Sequence, residues 1–126
     1  MPERSDISPR DMKAYLHYVQ LFESIDGGND FRIRLMGSDY AQTMGYDPTG
    51  QFLSELKDPV VRERTFSATQ HVVRTREPVR TTAAFGATAR WVYKRVERIL
   101  LPLGSGEIVT HVLCQAVCVD RVAFLN

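Results

Sequence analysis

Residues 91–120, WVYKRVERILLPLGSGEIVTHVLCQAVCVD, form two apolar-rich runs that meet at Gly104-Ser105-Gly106, and no other stretch limits the possible folds as strongly. Runs of β-branched and aromatic residues on either side of a glycine turn predict a long β-hairpin. Along the first run Ile99, Leu101 and Leu103 fall on one side with Trp91 and Tyr93, while Val96, Leu100 and Pro102 fall on the other. The second run divides in the same way, with Val112, Cys114 and Ala116 opposed to Leu113, Val117 and Val119. A sheet covered by helices on one side alone would alternate apolar with polar residues. Both sides here are apolar toward the turn, so both are expected to be shielded from water.

Upstream, Phe31, Ile33 and Leu35 alternate with Arg32 and Arg34 after an Asp-Gly-Gly-Asn turn, which predicts a second hairpin. Its first strand is placed in residues 14–24, with a helix starting at Ser8-Pro9 as the alternative. Ser38-Asp39 can start a short helix that Gly45 stops, and residues 51–56 form another short helical piece before Asp58-Pro59. Residues 60–77 carry the clearest helical pattern. Val60, Arg64, Ser67, His71 and Arg74 mark a polar stripe, Val61, Thr65, Phe66, Thr69, Val72 and Val73 an apolar one, and Pro78 ends the run. Residues 79–86 are strand-like and lead into the final hairpin. The order β-β-α-α-α-β-β-β predicts an α+β fold, a five-stranded antiparallel sheet with its helices on one face. Residues 1–13 are an N-terminal extension and 14–122 a single domain.

The chain of 126 residues, 44% of them apolar, suffices for one core. Sixteen basic residues against fifteen acidic ones argue against a nucleic-acid surface. The polar start and the lack of any apolar run near the ~20 residues of a membrane span point to a cytoplasmic protein. Cys114 and Cys118, four residues apart on a strand, stand about 13 Å from one another, too far for a disulfide or a shared zinc ion. His17, His71 and His111 are scattered over strand, helix and strand, so neither catalytic nor metal residues are signalled.

The stretches FRIRLMGSDYAQTMGYDPTGQFLSEL and YKRVERILLPLGSGEIVTHVL resemble the small single-domain PAS-like proteins of proteobacteria. The resemblance spans about residues 15–120 and includes the turn Gly45-Tyr46-Asp47-Pro48-Thr49-Gly50 and the run Arg98-Ile99-Leu100-Leu101-Pro102-Leu103. It implies a sensor fold whose helices and sheet enclose a pocket, open or filled. Flavin photosensors of that fold carry a cysteine in the helical half, and here both cysteines lie on the last strand. Haem-binding members often use a histidine of the long helix, yet His71 falls on the polar stripe. The identity of any cofactor therefore stays unknown.

A ligand pocket between the helices and the inner sheet face would be lined by Phe31, Ile33, Leu35, Tyr40, Met44, Phe66, Thr69, Trp91 and Tyr93. The opposite face, with Leu100, Leu113, Val117 and Val119, is expected to bury against a second copy of the chain or a signalling partner. Hiding about 500 Å² of apolar surface is worth on the order of 12 kcal/mol before association costs. The chain ends six residues after Asp120, which leaves no room for an output domain. The expectation is thus a stand-alone sensory module acting by protein–protein contact, gated by a small ligand. The alternative is a small isomerase or dehydratase using Asp39, Tyr40 and Tyr46.

Overall fold

The computed structural model describes residues 1–7, 18–83, 86–87 and 91–123, with side chains for all of these except 40, 43–44, 83, 86–87, 91–96 and 117–123. After a 3-10 turn at Arg4–Asp6 come strands β1 (Val19–Ile25) and β2 (Asp30–Met36), helix α1 (Ser38–Met44), a 3-10 turn at Leu53–Glu55 and helix α2 (Pro59–Thr75). Strands β3 (Val79–Ala83), β4 (Gly86–Ala87), β5 (Trp91–Ser105) and β6 (Ile108–Ala123) follow. All strand pairs are antiparallel, in the order β2-β1-β6-β5-β3, with the short β4 pairing the far end of β5. This is the expected α+β architecture. No helix among the described residues is long and apolar enough to cross a membrane.

Local chemistry explains the boundaries. The Asp58 carboxylate accepts the amide protons of Val60 and Val61, and Pro59 opens α2 where a missing N–H costs nothing. The exposed side of α2 is the predicted polar stripe, and Thr65, Thr69 and Val72 are buried on the other. At its end Arg76 turns left-handed and its amide donates to the Val72 carbonyl. Gly45, also left-handed at φ 82°, closes α1. Beyond it Asp47 accepts hydrogen bonds from the amide and hydroxyl of Thr49, which hold its carboxyl below the usual range. The turn then meets the edge of β2: the Gly50 amide donates to Ile33 and the Ile33 amide to Gln51. A free sheet edge is thereby covered.

One core lies between α2 and the sheet. Phe22, Phe31, Ile33, Leu53, Leu56, Val72, Leu100, Val112 and Cys114 form a single buried cluster. The described part of the first strand runs Val19–Ile25, and residues 14–17 of the expected strand lie outside the described residues.

Two bulges decide which side chains face the helices. Leu21 pairs with Leu35 and Phe22 with Ile33, so Arg34 is an extra residue and Leu35 turns to the opposite face from Phe31 and Ile33. On β6, Leu103 pairs with His111 and Gly104 with Val109, so Thr110 is extra, Val109 joins the core and Ile108 projects outward. Backbone approach at this second bulge is close enough that a Cβ on Gly104 would run into the Ile108 carbonyl oxygen.

Candidate functional site

Residues directly opposite in antiparallel strands share a face, so the registers can be chained across the sheet. Leu35 of β2, Leu21 of β1, Leu113 of β6 and Leu101 of β5 stand in one row. This row lies on the outer face, away from the helices, because the neighbouring Leu100, Cys114 and Phe22 belong to the core beneath α2. Four leucines spaced at ~4.8 Å cover about 14 Å of sheet. One neighbouring row reads Arg32, Glu23, His111 and Leu103; the other reads Val19, Gln115, Ile99 and Arg80. Val19, Leu21 and Leu103 are buried, whereas Ile99 is 47% and Leu101 38% exposed. Arg80 and Glu97 form an ion pair of 2.9 Å beside Ile99. The outer face is therefore an apolar strip, open at its β5 end and bordered by charge.

Two predicted placements need correction. Leu100, expected among the outward interface residues, is 1% exposed and faces the helices; Leu101 takes the outward position opposite Leu113. Leu35, expected to line an inner pocket, lies on the outer face because of the bulge at Arg34. Val117 pairs with Glu97 and Val119 with Arg95, and their side chains are outside the described set.

On the inner face Phe31 and Ile33 are fully buried, and the Phe66 ring meets Phe31 edge-on at 5.5 Å. Thr69 donates its hydroxyl proton to the Thr65 carbonyl, and Thr65 Oγ1 accepts from Arg98 at 3.0 Å. Of these four expected pocket residues, Phe31, Ile33 and Thr69 are packed into the core, and Phe66 is half-buried against it. The side chains of Tyr40, Met44, Trp91 and Tyr93 lie outside the described residues. Two buried atoms on β1, Gln20 Oε1 and Ser24 Oγ, have no hydrogen-bond partner among the described residues. Fully buried Phe22 stands between them. A shallow hollow of about 380 Å³ opens between the second 3-10 turn and α2, lined by Ser54, Arg62, Glu63, Phe66 and Ser67.

Tyr46, a candidate in the enzyme alternative, accepts the Lys57 amide proton at 3.4 Å, with the Lys57 ammonium 4.3 Å from its ring centre. Among the described residues no three His, Cys, Asp or Glu converge as a metal site would require. His71 is exposed on α2. Burial pushes the Cys114 thiol up to about 11, partly offset by the Arg98 charge.

The family model described as PAS domain matches residues 1–113. A solved structure described as a domain of an HTR-like protein from Haloarcula marismortui is similar at TM-score 0.53 and 17% identity, covering 81% of this chain and 98% of that one. A light-oxygen-voltage domain, solved in work on a flavin analogue, is similar at TM-score 0.57 and 12% identity, covering 88% and 83% respectively. No curated protein matches the chain. The matched stretch runs from the first residue into β6, through both helices and the whole leucine row, and the chain belongs to the PAS domain family.

Proposed function

We propose that this sensory PAS module passes its signal by protein–protein contact through the outer sheet face, and that the occupant is a second copy of the chain. The observation that supports this most is the leucine row, which ends in exposed Leu101 beside exposed Ile99. An apolar strip continuing from buried into open surface is what an interface core requires. A two-fold dimer places the same patch on both sides, so Leu101 and Ile99 need only face their own copies. Stable dimers bury about 800 Å² per partner. The polar border on β3 and β5 would add to the area that the strip contributes.

The test is the oligomeric state. Light scattering at high micromolar concentration should return a dimer for the unaltered chain and a monomer for Leu101→Glu, with unchanged circular dichroism. A monomeric unaltered chain sinks the reading.

Gating by a small ligand is a second reading, favoured by Gln20. Its Nε2 reaches Met36 Sδ at 3.2 Å while Oε1 has no donor among the described residues, a buried acceptor that a small hydrogen-bond donor would satisfy. Native mass spectrometry of freshly purified protein, repeated on Gln20→Leu, tests it: a retained small molecule in the first and none in the second supports gating.

A further inference from the structure

The hollow between the second 3-10 turn and α2 lies on the helical side of the sheet, whereas the leucine row lies on the other. Its walls offer groups of three kinds. Arg62 is half-buried, and its Nη1 donates to the Leu56 carbonyl at 2.8 Å, which holds the guanidinium in place and leaves the rest of its N–H fork for an anion. Among the described residues no carboxylate pairs with Arg62, and no cation pairs with Glu63 beside it.

Ser54 gives its hydroxyl proton to Asp30 Oδ2 at 2.6 Å, so what remains of it for the hollow is an acceptor. Ser67, one helical turn beyond Glu63, can donate or accept. Phe66 supplies the apolar wall. Its ring is half-buried and braced edge-on against Phe31.

We propose that this hollow binds a small zwitterion with an apolar body, the chemistry of an apolar or aromatic amino acid. Arg62 takes the carboxylate, Glu63 and the Ser54 oxygen take the ammonium, and Phe66 takes the side chain. A simple organic anion fits less well, because Glu63 repels it and the Ser54 oxygen has no proton to give it. A simple cation meets the opposite objection at Arg62. Each charge of a zwitterion finds a partner already in position. The volume of about 380 Å³ is at the small end of the range for small-molecule sites, ~300–1,000 Å³, as a ligand of this size needs. Neither the dimer nor gating at Gln20 is required for it.

Titration of the full chain with L-phenylalanine, followed by backbone amide chemical shifts, tests the site. Saturable shifts should concentrate at Ser54 and along residues 62–67. Phenylalanine should bind at least about tenfold more tightly than phenylacetate, phenethylamine or glycine, which lack its ammonium, its carboxylate and its apolar body respectively. Glu63→Gln should erase the preference over phenylacetate and Arg62→Gln the preference over phenethylamine, both with unchanged circular dichroism. The absence of any saturable shift up to about 10 mM overturns the proposal, as does phenylacetate matching phenylalanine on the unaltered chain. Preferences that survive both substitutions overturn it as well. Saturable shifts centred on Gln20 and Ser24 in place of the hollow would support gating and remove the hollow as a site.

Discussion

Leu100 and Leu101 are chemically identical neighbours on β5, and the structure assigns them opposite consequences. Leu100 is 1% exposed within the cluster that α2 closes, so Leu100→Ala removes a packed side chain and leaves a cavity. Such truncations cost about 3–5 kcal/mol. At roughly 3–5 °C per kcal/mol for a domain of this length, the melting temperature should fall by about 10–20 °C. Leu101 is 38% exposed on the outer face, and Leu101→Ala should cost under about 1.5 kcal/mol of single-chain stability. Its effect should instead depend on concentration, because a dimer's apparent stability rises with protein while a monomer's does not. Urea unfolding of both variants at two concentrations tenfold apart, beside the unaltered chain, separates the two roles. The face assignment is refuted if Leu101→Ala proves the more damaging at both concentrations, or if Leu100→Ala weakens association while leaving stability intact.

Gly104→Ala should cost about 3 kcal/mol or more, since its Cβ meets the Ile108 carbonyl, whereas Gly106→Asn, at φ 61° with open space around it, should cost under about 1 kcal/mol; urea midpoints compare them. Asp58→Ala removes the acceptor for Val60 and Val61 and should lower stability by about 1 kcal/mol, read as a shift in the thermal midpoint. In a Cys118→Ser background, Cys114 should resist thiol reagents at pH 8 until urea unfolds the chain. Because its pKa is pushed up to about 11, stability should also decline as pH rises above the ordinary value of 9.0, a loss complete near 11 and absent in Cys114→Ala.

The elements legible in the sequence were those with local causes. The period of α2, its Asp58-Pro59 start and Pro78 stop, the Gly45 cap and the final hairpin each rest on a few adjacent residues. The parity of the strands was not legible, and the run Ile99-Leu100-Leu101-Pro102-Leu103 shows why. Every residue in it is apolar, so alternation cannot say which of Leu100 and Leu101 faces the helices. At Arg34 and Thr110 a one-residue insertion swaps the faces, and nothing in composition distinguishes a bulged Arg34 from the Arg32 two residues earlier. Side-chain direction has a period of two, so each unseen bulge inverts every later assignment on its strand.

Those two bulges also explain how one sheet can be apolar on both sides without losing its register. The bulge at Arg34 moves Leu35 out of line with Ile33 and into line with Leu21, which completes the leucine row; without it, Arg34 would stand there. The bulge at Thr110 does the converse, bringing Val109 into the core and sending Ile108 outward at the hairpin tip. A slip of one residue at either place would put an arginine into the outer strip or exchange Val109 for Ile108 in the core. Register is thus fixed by charge and by the tight approach at Gly104, where apolar alternation alone would leave two pairings close in energy. An outer face specified this closely has more imposed on it than solubility asks of a solvated sheet surface, which supports the contact proposed there.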